Sequence, residues 1–425
     1  MIRELQINNY KSLHELTLEV GRFNVLIGEN GCGKSNLLEA IALVAAAAAD
    51  KLDNEFLVSR GIRVTDPQLM RSAFSNESMQ EPIKIGIGFK NSDEIQKYTL
   101  INDNQPYARW IRREAGLSAL TNIWQQISKE KGLEQLKEQY DAVKAKKTSA
   151  IPGKKTPETF DEAVEKMKKI ILDSTANFFE DNKIDAKNYL EHAESVVNSE
   201  KEIESFIIYS PENTALRNFY KEGQIEPLGI NGEGLLKLLK VIQNKSGESP
   251  KQLQDIHASL QLFDWYAEIK IPSSGILGSL KDYITITDRY LTQPFDQRSA
   301  NEGFLFVLFY IALIVSDDTP KIFAIDNIDT SLNPKLCTKL IKELVRLAKK
   351  YDKQVFVTTH NPAILDGIDL GDDEQRLLVV SRNKQGHTRF KRITLKDKPR
   401  SSTNEELKLS EAFLRGYLGG LPKGF

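Results

Sequence analysis

The chain has 425 residues, 40% of them hydrophobic and 28% charged, with a formal net charge of -1. A length beyond what one core usually serves implies a main domain plus a second lobe or insertion, and no apolar run approaches the ~20 residues that cross a bilayer, so no membrane role is expected and the cytoplasm is the expected compartment. The balanced charge excludes a general pull toward nucleic acid, and two cysteines, Cys32 and Cys337, are too few for a disulfide framework or a zinc site.

Apolar runs predict strands over residues 2–8, 16–20 and 23–27, the last running into a glycine-rich loop. A helix is expected over residues 35–50, where Leu37, Leu38, Ile41 and Leu43 precede a run of alanines. Alternating Ile83, Ile85, Ile87 and Phe89, followed by residues 97–101, predict an antiparallel pair at the edge of a first lobe. Between about residues 103 and 205, Lys/Glu-rich segments with helical spacing are broken by TSAIPGKKTP, which predicts an inserted helical hairpin or small bundle. Its lysines between Lys129 and Lys155 could contact nucleic acid or a partner, although a charge run on a helix is usually a solvated face. Strand signals return at residues 206–209, 269–271 and 283–287, and strands alternate with helices to the C-terminus. The expected organisation is α/β: a first lobe over 1–102, an inserted α-helical subdomain over 103–205 and a second lobe over 206–425.

The run Gly28-Glu29-Asn30-Gly31-Cys32-Gly33-Lys34-Ser35 fits G-x-x-x-x-G-K-[ST], with an apolar strand before it and a helix after it. Glycines at 28, 31 and 33 let the backbone curl with its N–H groups inward, and the following helix adds its positive dipole end. Asn30 to Asn36 therefore form an expected phosphate cradle, with Lys34 reaching the β- and γ-phosphates and the Ser35 hydroxyl on Mg²⁺.

The apolar segment KIFAID ends in Asp326, the place of a Walker-B aspartate that would hold Mg²⁺. The residue after such an aspartate is commonly a glutamate acting as general base, but here it is Asn327, which can orient a water and cannot take its proton. Asp329 and His360 are the candidate substitutes. His360 ends the strand-like run 354–359 and opens a turn at Asn361-Pro362, as ligand residues at carboxyl ends of parallel strands do. The acidic run over residues 369–374, bracketed by Gly367 and Gly371, reads as a solvated turn rather than a metal cluster.

Together, GENGCGKSN, IFAIDNIDTSLNP and VFVTTHNP resemble the OLD-like branch of ABC ATPases, relatives of RecF, Rad50 and SMC head domains. The opening INNYKSLHELTLEVGRFNVLIGENGCGKSNLLEAI looks like the start of such heads, and the closing LSEAFLRGYLGGLP resembles tails of defence-associated bacterial members. The resemblance implies a P-loop NTPase of ABC type with an antiparallel edge lobe, an ATP hydrolase with ATP and Mg²⁺ as ligands, pairing head to head. It also implies that residues 298–304 are the signature segment, in which Ser299, Asn301 and Gly303 touch the γ-phosphate held by a second copy. Asn301 departs from the serine usual two places before the glycine. The following residues 305–315 are apolar and helix-length, and Ser331-Leu332-Asn333-Pro334 resembles the D-loop at the dimer seam.

Some relatives carry a C-terminal nuclease, whereas here about one small β–α–β element is expected after His360. The resulting expectation is a nucleotide-dependent scaffold or sensor in bacterial antiviral defence, similar to the ATPase halves of PARIS or Septu. It would turn over slowly because of Asn327 and control a separate effector such as a nuclease. The alternative is a RecF-like DNA-repair or chromosome-maintenance clamp, closing on duplex DNA with salt-dependent affinity. A transporter ATPase fits poorly with the long insertion and the altered signature.

Overall fold

The structure, a computed structural model, describes residues 1–92, 94–105, 108–113, 200–218, 226–244, 251–272, 283–399 and 406–421. The chain forms two compact units, one of Met1–Arg112 with Lys201–Phe425 and one of Arg113–Glu200. The expected helical insertion, with its TSAIPGKKTP break and its lysines between Lys129 and Lys155, lies almost entirely outside the described residues.

The first unit begins with a five-stranded sheet in the order β2-β1-β4-β5-β6, the last strand being the short Ile111–Arg113. Strand β1 (Ile2–Tyr10) pairs antiparallel with β2 (Leu13–Glu19), setting Leu5 opposite Leu18 and Ile7 opposite Leu16. A register shift between Ile2 and Glu4 lets Ile2 and Leu5, which straight alternation would send to opposite faces, both be buried. Strand β4 (Ile83–Phe89) pairs antiparallel with β5 (Ile95–Ile101) as the alternation predicted. It also pairs with β1, so it is an interior strand rather than part of an edge pair. Glycine makes this possible: a Cβ on Gly86 would stand 2.7 Å from the Ile95 side chain on β5.

The sheet that positions the site has the order β14-β13-β3-β12-β11-β7, in which β14 is Thr388–Ile393, β13 is Gln375–Arg382 and β7 is Ile208–Tyr209. Strands β3 (Phe23–Gly28), β11 (Ile322–Ile325) and β12 (Gln354–Thr359) are buried along their whole length, the mark of parallel strands covered on both faces. Period-two geometry divides their side chains. Val25, Ile27, Val355, Val357, Phe323 and Ile325 face one core with the helix Glu302–Val315, and Leu26, Phe356 and Ala324 face the other with the P-loop helix Lys34–Ala48. Every residue of Glu302–Val315 after the first is buried, so this helix is an internal beam rather than an amphipathic cover. The helix Pro334–Lys350 is amphipathic. It buries Leu336, Cys337, Leu340, Ile341, Leu344 and Leu347 on one side, starts at an Asn333 cap with proline in its first turn, and ends on Lys349 and Lys350.

Beyond His360 the chain departs from the expected β–α–β element. Strand β13 (Gln375–Arg382) turns directly into the antiparallel β14 (Thr388–Ile393). The connection Asn-Lys-Gln-Gly-His has Gly386 at φ +85° and closes with hydrogen bonds between Asn383 and His387, which suits a tight hairpin and leaves no room for a helix. The acidic run before β13 is a turn. Asp369 and Asp372 accept hydrogen bonds from the Gly371 and Glu374 amides, Asp373 pairs with Arg376 and Arg392, and Glu374 pairs with Arg22 and Lys90. Among the described residues no helix is long and apolar enough to cross a membrane.

Candidate functional site

The glycine-rich loop leaves β3 at Gly28, and its glycines answer to local geometry. Gly31 and Gly33 have φ of 74° and 108°, and a Cβ on Gly33 would stand 2.2 Å from Thr388 Oγ1. A Cβ on Gly28 would stand 2.1 Å from the Val380 carbonyl, so the loop starts hard against β13. Lys34 folds back under the loop and donates from Nζ to the carbonyls of Gly28 (2.9 Å) and Glu29 (3.0 Å). Burial lowers its pKa. Cys32 is buried beneath the loop, and burial raises its thiol pKa.

Asp326 follows β11 and faces the first turn of the P-loop helix, with Ser35 Oγ 3.2 Å from its Oδ2. Thr358 of β12 donates a hydrogen bond to Asp326 Oδ1 and accepts one from the Asn327 amide (2.9 Å), fixing the carboxylate and the turn after it together. Asp329 Oδ1 accepts from Thr359 Oγ1 (2.7 Å) and from the His360 amide (3.4 Å). The His360 pKa is lowered by burial and by the nearby Lys34 ammonium.

These elements converge on a cavity of about 380 Å³ lined by Asn30, Gly31, Gly33, Lys34, Ser35, Asn36, Arg63, Asp326, Asn327, His360 and Arg382. Cys32 and Asp329 stand beside this wall without lining it. Ser299, Asn301 and Gly303 stand elsewhere, at the start of the helix Glu302–Val315. There Asn301 Oδ1 caps the helix by accepting from the Phe304 amide (2.8 Å), and a Cβ on Gly303 would stand 2.9 Å from the Ser331 carbonyl, so the signature-like and D-loop-like segments are in close contact.

The motif reading missed several residues. Arg63 and Arg382 line the cavity, Thr358 fixes Asp326, and Ser12 and Thr388 share a hydrogen bond (2.7 Å) while Thr388 donates to the Cys32 carbonyl (2.7 Å) and Asn36 donates to Ser12 (2.7 Å). Glu39 lies inside the P-loop helix, where Lys11, Arg63 and the Tyr10 hydroxyl surround its carboxylate. A glutamate between Leu38 and Ala40 in an otherwise apolar run was the available signal, because a buried charge requires partners. A second cavity of about 400 Å³ adjoins the first and shares Asn36, Arg63 and Arg382 with it.

The residues suit a nucleotide with its metal. The loop is held close against β13 and β14 at Gly28 and Gly33, positions where no side chain fits, Lys34 is a cation at its base, and Ser35 with Asp326 presents hard oxygen donors of the kind Mg²⁺ takes.

Comparison with known proteins gives the same fold. The crystal structure of an SMC head bound to the C-terminal winged-helix domain of ScpA aligns over 93% of this chain and 98% of that chain, with a TM-score of 0.51 and 13% identity. An uncharacterised protein of Methanocaldococcus jannaschii is 32% identical over 114 residues, 25% of this chain and 50% of that protein. The DNA replication and repair protein RecF of Staphylococcus haemolyticus is 44% identical over 55 residues, 13% of this chain and 15% of RecF. The chain thus spans half or less of the length of these curated relatives. The fold is that of an ABC-type ATPase head, and the family model described as "AAA domain, putative AbiEii toxin, Type IV TA system" matches residues 23–366, so the chain belongs to that family.

Proposed function

We propose that the 380 Å³ cavity binds ATP with Mg²⁺ and that the chain is a slowly hydrolysing, nucleotide-dependent scaffold or sensor in bacterial antiviral defence, acting in the cytoplasm through a separate effector such as a nuclease. The observation that carries the nucleotide reading is the convergence of the P-loop, Asp326 and His360 on one cavity at the carboxyl ends of β3, β11 and β12. Lys34 leaves the Gly28 and Glu29 carbonyls for the β- and γ-phosphates, and the loop amides donate to the same oxygens. Ser35 and Asp326 would hold Mg²⁺, which when bound would supply charge neutralisation for the phosphates. Asn327 orients the attacking water from the cavity wall, and His360 hydrogen-bonds toward the terminal phosphate. Asp329, held beside His360 by Thr359, is the substitute proton acceptor, and turnover is slow because Asn327, in the usual place of the glutamate, cannot take the proton.

Ser299, Asn301 and Gly303 stand away from this cavity and complete it from a second copy, so the loaded state is a head-to-head pair or larger oligomer. The family's description as a toxin of a toxin–antitoxin system supports a defensive role. The RecF segment at 44% identity supports a second reading, an ATP-closed clamp on duplex DNA. Phosphate release and ATP affinity of the wild type against Lys34→Ala test the nucleotide reading: the variant is expected to lose binding at least tenfold, and equal binding by both proteins contradicts it. DNA affinity that rises with ATP and falls steeply with salt would move the assignment to the clamp.

A further inference from the structure

In the order β13-β3-β12-β11 four parallel strands lie side by side. Three deliver the P-loop, His360 and Asp326 at their carboxyl ends, and the fourth, β13, ends at Arg382. We propose that Arg382 is a nucleotide-binding residue acting in the same chain as the P-loop, its guanidinium engaging the phosphate nearest the nucleoside. This rests on reading the cavity as an ATP site.

Register fixes the position. Val380 of β13 pairs with Gly28 of β3, the point where β3 becomes the P-loop, and Arg382 lies two residues on, along the same face of its strand. The backbone there is anchored, because Arg382 pairs across the hairpin with Thr388, itself 1% exposed and bonded to the Cys32 carbonyl and to Ser12. Arg382 therefore moves with the phosphate cradle rather than with solvent.

The cavities fix which end of the ligand it meets. Asn36, Arg63 and Arg382 line both the 380 Å³ cavity and the adjoining 400 Å³ one, so they mark the junction. Lys34, Ser35 and Asp326 line the first cavity alone, and on the ATP reading they take the terminal phosphates. Of the three cations on the first cavity, Lys34 is hydrogen-bonded to loop carbonyls and Arg63 to Glu39 and Asn36. Arg382 is exposed, with no side-chain partner among the described residues, and a free planar fork of five N–H donors matches a phosphate bidentately.

Calorimetric titration of ATP and ADP with Mg²⁺ on the wild type, Arg382→Ala, Arg382→Lys and Lys34→Ala tests the assignment. Arg382→Ala is expected to weaken ATP and ADP alike by about tenfold, with Arg382→Lys in between, because charge-assisted hydrogen bonds to the inner phosphate are common to both ligands. The melting temperature without nucleotide is expected to be unchanged, and Arg382→Gln, which keeps the side-chain length, replaces the alanine variant should alanine lower it. Unaltered affinity for both ligands overturns the inference, and a loss confined to ATP overturns the placement at the inner phosphate. A wild type that binds neither ligand instead overturns the ATP reading itself.

Discussion

Asn327 stands where a glutamate is usual, and its backbone explains part of the substitution. Its φ is 56°, in the left-handed region that asparagine tolerates and most L-residues do not. Thr358 holds this turn through the Asn327 amide. Asn327→Glu is therefore expected to lower unfolding free energy by about 1 kcal/mol, and Asn327→Gly to leave it nearly unchanged, as denaturant titration would record. A stability gain in the glutamate variant would count against this account. At this scale the sequence was most informative where the candidate site is local. The P-loop is a contiguous motif whose glycines, lysine and serine carry their roles within eight positions. Arg63, Thr358, Arg382 and Thr388 reach the site from separate strands and turns, and no spacing rule joins Thr388 to Cys32.

Among the elements, the helix Glu302–Val315 gives a test of the signature-like segment. Asn301 caps it from the side chain, so Asn301→Ala is expected to cost about 1 kcal/mol. Asn301→Asp keeps a capping oxygen and adds a negative charge. Stability equal to the wild type with loss of ATP-dependent assembly would assign Asn301 to the phosphate of the second copy, and intact assembly would leave it a cap alone. Another test lies at the far end of the sheet, where Lys353 is 2% exposed and donates to Thr319 and Pro320. Burial lowers its pKa from 10.5 to about 8, with Asp317 opposing the change. Between pH 8 and 10.5 the unfolded chain binds the proton that the folded chain has released, so stability rises with pH across this window. The increment is up to ~3 kcal/mol. Lys353→Met is expected to remove it from a comparison of unfolding free energies at pH 8 and pH 10.5, and an unchanged difference would contradict the assignment.

Strand positions were legible because apolar runs and alternation are local, as in β3, β4 and β12. Pairing partners were not. The interior place of β4 depends on β1, far away in sequence, and the hairpin β13–β14 depends on a five-residue connection that also resembles a polar loop.

For the whole molecule, the site divides between elements that one chain brings together and elements that it holds apart. The P-loop, Asp326 and His360 share a cavity, whereas Ser299, Asn301 and Gly303 do not line it, and Gly303 is packed against Ser331 and Leu332. On the proposed reading, pairing of two copies around ATP would bring both sets onto one ligand. The most direct measurement is molecular mass by light scattering without nucleotide, with ATP and Mg²⁺ and with a non-hydrolysable analogue, on the wild type and Lys34→Ala. Nucleotide-driven doubling or higher assembly of the wild type, supported equally by the analogue and absent in Lys34→Ala, is the predicted result. An unchanged mass under all conditions, or assembly that survives in Lys34→Ala, would contradict it.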